Sequence, residues 1–246
     1  MIRLDGRVIV GLSASLLLVM VLAWRFTTLQ SRSTLTASQQ ALCGSEVDIR
    51  RSIAKLASTS PDGKNAADNL TLLAKQSSQC RSLTIEELTR AMNDRPPNNV
   101  KDPSAYFLWA NGAAVLGDLN AVESLDLLID HLDLNDGFFS ASMAHQPLVP
   151  AVEKMGVLAV PKLAIALQRH PNRDIRLAAA LCLADIGGME ATEALKTALR
   201  TEADQCVRRF VTLSLPTSRQ EQDGQRGALD DRDRLRERLI AFRCGN

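Results

Sequence analysis

The chain has 246 residues, of which 46% are apolar and only 4% aromatic, so it can bury a sizeable core that must be aliphatic. A core of Leu, Ala and Val is typical of packed helices. Lysine and arginine number 29 against 28 acidic residues, so no global charge attracts the protein to nucleic acid or to an anionic bilayer. We therefore expect no nucleic-acid partner.

An uncharged segment lies near the N-terminus. Residues 8–24 read VIVGLSASLLLVMVLAW, and as a helix rising about 1.5 Å per residue they can just cross roughly 30 Å of hydrocarbon. Trp24 and Arg25 suit an interfacial anchor. A cleaved secretory signal is the alternative, with residues 1–7 as the basic leader and residues 21–23 as the cleavage site.

Either interpretation of residues 8–24 places the remainder of the chain across the membrane. We predict a short tail over 1–7, a transmembrane anchor or signal over 8–24, and a C-terminal region in the periplasm or extracellular space. The anchor would make a single-pass membrane protein, whereas cleavage would secrete the chain.

Residues 25–99 are predicted to form a helical stalk and an N-terminal helical hairpin region. Apolar spacing indicates helices over about 40–57 and 64–79 on either side of the turn signal Ser-Pro-Asp-Gly at 60–63. Thr84 followed by Glu87 matches a capping box, which predicts a short helix from there to about Asn93.

The chain has five cysteines, and their pairing indicates whether the protein lies in an oxidising or a reducing compartment. If the helices flanking residues 60–63 are antiparallel, Cys43 and Cys80 lie at similar distances from the turn and can meet. The same holds for Cys206, which opens one predicted helix, and Cys244, which closes the last. We predict these two disulfides and an oxidising compartment. Cys182 is left as a small buried residue. Five reduced cytosolic thiols are the alternative.

Beyond residue 100 the apolar pattern repeats. At a constant offset of 67, Leu116, Asp118, Leu128 and Leu132 fall on Leu183, Asp185, Leu195 and Leu199. Met155-Gly156 falls on Ile186-Gly187, and the segment from Asp174 matches the segment from Cys206 at an offset of 32. A unit of about 32 residues is long enough for one helix pair.

These units resemble the short HEAT-like repeats first noted in phycobilisome lyases, from about residue 104 to 243. That pattern is an Arg-x-x-Ala-Ala-x-x-Leu helix, a turn glycine and a Glu-Ala-x-x-x-Leu helix. The matching residues are Arg176, Ala179, Ala180, Leu183, Gly187, Glu190, Ala191 and Leu195. The resemblance implies an all-α fold, an α-solenoid of helical hairpins over 100–246, and no particular activity.

The sequence contains no recognisable catalytic constellation. It lacks a phosphate-binding glycine loop, a GxSxG elbow and an HExxH motif, and its cysteines and histidines have no metal-ligand spacing. We expect neither an enzyme, a cofactor nor a metal. His131 and His170 lie near predicted helix C-termini, where a partial positive charge suits the helix dipole.

A binding surface is the remaining candidate. Phe138 and Phe139 are adjacent in a polar loop, where they either fold back over the repeat ends or anchor a partner. The second helices of the repeats predict a face that is acidic at first and basic later. Its acids are Glu123, Asp126, Asp130 and Asp133, and its bases are Lys162, Arg169, Lys196 and Arg200. Asp126 and Asp130 are our candidate partner-binding acids.

The sequence therefore predicts a membrane-tethered HEAT-repeat scaffold that binds a protein partner outside the cytoplasm. One alternative is an accessory or lyase-like subunit that holds a ligand in the concave groove. Another is a structural component of the cell envelope.

Overall fold

The computed structural model describes residues 46–59, 61–97, 103–134 and 146–215, which all belong to one compact unit. Within these ranges the chain forms ten α-helices, two short 3₁₀ helices and no strand. The prediction of an all-α fold is thus confirmed for this part of the protein.

In the described part of the chain, three helices precede the repeats: α1 (Glu46–Leu56), α2 (Asp62–Ala74) and α3 (Ser78–Asp94). They pack against one another and against α4 (Pro103–Asp118). The predicted start of α3 at a Thr84–Glu87 capping box is wrong. The helix begins six residues earlier, where the Ser77 side chain accepts a hydrogen bond from the Cys80 amide at 3.1 Å.

Seven of the described helices, beginning with α4, belong to the repeat region. The others are α5 (Leu125–Ile129), α6 (Leu148–Lys154), α7 (Val160–Arg169), α8 (Arg173–Ile186), α9 (Gly188–Thr201) and α10 (Gln205–Ser214). Helices α4, α6, α8 and α10 pack successively in one row, and α5, α7 and α9 pack in a second row. Stacked helical hairpins of this kind form an α-solenoid.

The first row is packed closely because small residues face its neighbours. Ala178, Ala179 and Ala180 of α8 are all fully buried. In α4, a Cβ added to Gly117 would lie 2.9 Å from the Cα of Ala151 in α6, so glycine permits this helix contact. Apolar residues from all ten helices join one continuous core.

A residue with positive φ lies between the first and second helix of each described hairpin. These residues are Asn120 at φ 50°, Gly156 at 59° and Gly187 at 66°. Asn120 and Gly187 are separated by the offset of 67 that the sequence repeat predicts. Because positive φ ends a right-handed helix, the repeated position marks the turn within each unit.

Caps recur at the junctions between units. Asn172 and Asp204, 32 residues apart, accept backbone hydrogen bonds at the N-termini of α8 and α10. Arg176 donates to the carbonyl of His170 at 2.9 Å, and Arg208 donates to the carbonyl of Glu202 at 2.7 Å. His170 and Glu202 are the C-cap residues of α7 and α9, so the repeat arginine closes the preceding unit.

Within the described ranges, no helix combines the length and the apolar character that a membrane crossing needs. The predicted span over residues 8–24 lies outside these ranges.

Candidate interaction surface

The outward residues of the second row carry most of the charges that the sequence predicted for this surface, and we call this set the second-row face. We define it by Asp126 of α5, Asp130 at the C-cap of α5, Lys162, Ile165 and Arg169 of α7, and Glu193, Lys196 and Arg200 of α9, of which Ile165 and Glu193 were not predicted. Spacings of three and four residues put each set on one side of its helix. The buried residues of α7 and α9, such as Leu163 and Leu195, occupy the opposite side.

Much of the predicted acidic charge is paired with neighbouring units. Asp126 forms an ion pair with Lys162 at 2.6 Å, and Glu123 forms one with Arg81 at 2.9 Å. Asp133 accepts a hydrogen bond from the Asn172 side chain at 2.7 Å. These acids therefore hold adjacent helices together, and the acidic part of the face is smaller than the sequence suggested.

Three charged groups on the second-row face make no ion pair with a described residue: Asp130, Arg169 and Arg200. Arg200 donates to the Thr197 hydroxyl at 2.9 Å, and Lys196 pairs with Glu193 at 3.0 Å. Between these groups the Ile165 side chain is 58% exposed, although α7 otherwise buries its large apolar residues. The second-row face thus combines one exposed apolar residue with charges that have no ion-pair partner among the described residues.

Phe138 and Phe139 lie outside the described residues, and so does the rest of their loop. Their proposed role as a partner anchor stays a prediction.

His131 has a different role from the predicted one. Its ring meets the buried ring of Trp109 edge to face, with centroids 4.5 Å apart, and Trp109 donates from its indole nitrogen to the Arg95 carbonyl at 2.7 Å. Burial lowers the pKa of His131, and the nearby carboxylates of Asp133 and Asp130 only partly offset it. The lowered pKa disfavours the charged imidazolium on which the expected charge–dipole interaction depends.

The cysteines fall into two classes in the described part of the chain. Cys80 and Cys206 are disulfide-bonded, while Cys182 is a fully buried thiol within α8. Cys43 and Cys244 lie outside the described residues, so the pairings Cys43–Cys80 and Cys206–Cys244 stay predictions. Across the described ranges, no group of three or more histidine, cysteine or acidic side chains is arranged to hold a metal ion.

Sequence reasoning missed a cleft of about 470 Å³ between α1, α3 and α4. Its walls combine apolar and charged residues: Arg50, Ile53, Ala54, Ala57, Glu87, Arg90, Ala91, Asp94, Arg95 and Leu108. Glu87 was predicted as the capping-box partner of Thr84 in the first turn of a helix, but it lies in the middle of α3 with its side chain only 5% exposed. No local signal reveals the cleft because its two walls are some 37 residues apart in sequence.

Glu87 organises one end of this cleft. Arg50 donates through Nε to Glu87 at 2.7 Å, and Arg90 makes a short contact with the same carboxylate. The hydrogen bond from Arg50, assisted by the charge of Arg90, holds the pKa of Glu87 below its usual range despite burial. The same contact with Glu87 raises the pKa of Arg50. The carboxylate is therefore ionised and fixes both guanidinium groups.

Comparison with known families identifies the repeated hairpins. Residues 158–240 match the family of HEAT repeats. The chain thus carries HEAT-like repeats. The match begins at the second helix of the second hairpin and supports the resemblance from sequence, but it does not extend to the phycobilisome-lyase type. Neither the curated proteins nor the solved structures contain a match to this chain.

Proposed function

We propose that this protein is a membrane-tethered HEAT-repeat scaffold that binds a protein partner on the extracytoplasmic side of the membrane. The observation that carries the proposal is the array of HEAT-like hairpins, whose second-row face combines Ile165 with charges that no described residue neutralises. HEAT repeats generally act as scaffolds for protein–protein contacts. Binding, with no chemical reaction, is the proposed activity.

The proposed location has two supports. The uncharged segment 8–24 is long enough to span a bilayer or to direct secretion. The disulfide-bonded state of Cys80 and Cys206 favours an oxidising compartment. N-terminal sequencing of the mature protein tests the tether, since an intact Met1 end supports an anchor and a new terminus near Ala23 supports secretion.

Partner binding is tested by affinity purification from solubilised membranes. We expect a stoichiometric protein partner. If none is recovered and a small ligand instead raises the melting temperature, the scaffold proposal fails in favour of the ligand-binding accessory subunit.

Charge reversal tests the second-row face itself. The double variant Asp126→Lys, Asp130→Lys should weaken recovery of the partner, because it removes the acidic part of the face and its pair with Lys162. The matched control reverses two exposed acids on α2, Asp62→Lys and Asp68→Lys. Circular dichroism checks that both variants fold. Unchanged recovery with the α5 variant would exclude this part of the face.

A further inference from the structure

The cleft between α1 and α3 has charged residues at one end and mainly apolar residues along the stretch next to it. One side is lined from residues 50–57, which are the end of α1 and the residue after it, and the other from residues 87–94 of α3. Each side covers two helical turns or about 10 Å. Arg50, Glu87 and Arg90 lie at one end. Ala54, Ala57 and Ala91 line the stretch that follows, above the nearly buried Ile53 and Leu108.

The two guanidinium groups at the polar end are held in place and keep unused donors. Both contact the buried carboxylate of Glu87, which limits their movement. Nη1 of Arg50 and Nε of Arg90 donate to no atom in the described part of the chain, and a guanidinium offers five N–H donors. An anion can therefore bind without breaking the contacts to Glu87.

The remaining partners of these arginines are weakly held. Arg50 also pairs with Glu46, and Arg90 with Glu86, across one turn of the same helix. The Glu46 and Glu86 side chains are 51% and 68% exposed, and such surface pairs contribute little and are screened by salt. An incoming carboxylate that is partly shielded by the cleft can replace them.

We propose that this cleft binds a small carboxylic acid with an apolar tail, whose carboxylate lies between Arg50 and Arg90 and whose tail lies over Ala54, Ala57 and Ala91. The volume and the mainly apolar lining are those of a small-molecule site. At the opposite end Asp94 and Arg95 carry opposite charges, so the paired guanidinium groups of Arg50 and Arg90 set this orientation. The site is separate from the second-row face and does not require a protein partner.

Hexanoate is a suitable probe because it is soluble and has both parts of the proposed ligand. The full chain in lipid nanodiscs is titrated by ligand-observed NMR, with empty nanodiscs as the blank. Two control compounds are titrated in the same way: acetate, which lacks the apolar tail, and 1-hexanol, which lacks the charge. We expect hexanoate to bind at least about tenfold more tightly than either.

Two variants localise the binding. Ala54→Phe fills the cleft from an exposed position, and Ala203→Phe is the matched control at an exposed site between α9 and α10. Arg90→Gln removes one guanidinium while Arg50 still contacts Glu87. We expect Ala54→Phe to abolish hexanoate binding, Arg90→Gln to weaken it about tenfold, and Ala203→Phe to leave it unchanged.

Equal binding of hexanoate by the wild type and Ala54→Phe would overturn the proposal, as would equal binding of hexanoate and 1-hexanol. Absence of hexanoate binding, together with loss of a protein partner in Ala54→Phe, would instead assign the cleft to a protein segment. If the Asp126→Lys, Asp130→Lys variant loses the protein partner and Ala54→Phe keeps it, the partner binds the second-row face. That result does not change the proposal for the cleft.

Discussion

Arg176 shows how one repeat residue connects two units. Its guanidinium is 14% exposed and pairs with Glu202, which is 8% exposed, at 3.0 Å. It also donates to the backbone carbonyls of His170 and Pro171, which end the preceding unit. The sequence identified Arg176 through the repeat pattern, but Glu202 is 26 residues away and was not predicted as its partner.

We expect Arg176→Met to lower the free energy of unfolding by about 2–3 kcal/mol, because two carbonyls lose this donor and the Glu202 carboxylate keeps only the Asp204 amide. Urea denaturation followed by circular dichroism measures the change. The control Arg51→Met breaks the exposed pair with Asp48 and should cost under about 0.5 kcal/mol. Equal effects of the two substitutions would show that Arg176 is not an important link.

The lowered pKa of His131 predicts that the free energy of unfolding decreases at mildly acidic pH. Its pKa is below 6.5 in the folded protein, so the unfolded chain binds the proton more readily. The contribution of His131 is complete above pH 6.5 and is lost as the pH falls through the folded pKa. His131→Gln should be less stable at pH 7, because it loses the contact with Trp109, but should show a flatter pH dependence.

Denaturation midpoints of wild type and His131→Gln between pH 7.5 and pH 5 provide this comparison. Since other groups titrate equally in both proteins, parallel curves would contradict the assignment.

At the scale of elements, the turns within the hairpins were predictable and the ends of helices less so. Gly187 and its counterpart Gly156 were located from the apolar repeat, because a turn residue and its flanking apolar positions lie close in sequence. The start of α3 was misplaced because Thr84 and Glu87 fit a capping box by spacing alone. Both residues lie inside the helix, where Thr84 is buried and Glu87 contacts Arg50 instead of capping an N-terminus.

We expect Gly187→Ala to destabilise the protein by about 1–3 kcal/mol. Gly187 has φ 66° and ψ −164°, a region that side chains with a Cβ rarely adopt. The control Asn120→Gly places glycine at the equivalent turn, where φ is 50°, and should not reduce stability. Thermal unfolding measures both, and a Gly187→Ala variant as stable as wild type would exclude backbone strain at this turn.

At the scale of the whole molecule, the two disulfide-bonded cysteines lie in different parts of the helical stack. Cys80 lies in the helices that precede the repeats, and Cys206 lies in the last described helix. If Cys43 and Cys244 are their partners, each bridge closes a loop of roughly 37 residues and contributes about 4 kcal/mol in the chain-entropy treatment. The two bridges would then stabilise the two ends of the stack.

Alkylation of the unreduced, denatured protein, followed by mass spectrometry, tests this arrangement. We expect a single modified cysteine, Cys182, and two disulfide-linked peptide pairs, Cys43–Cys80 and Cys206–Cys244. After reduction, all five cysteines should be alkylated. Five modified thiols before reduction would contradict both the bridges and the proposed oxidising compartment.

By itself, the sequence determined the helical fold of the described residues, the recurrence of their helices in hairpins and the turns at Gly156 and Gly187. Those properties follow from local spacing of apolar residues and glycine. Tertiary structure decided which charges stay available, because stacking brings Asp126 to Lys162 and Arg50 to Glu87 from about 36 residues away. It also created the cleft between α1 and α3, whose apolar and charged walls meet only when the helices pack.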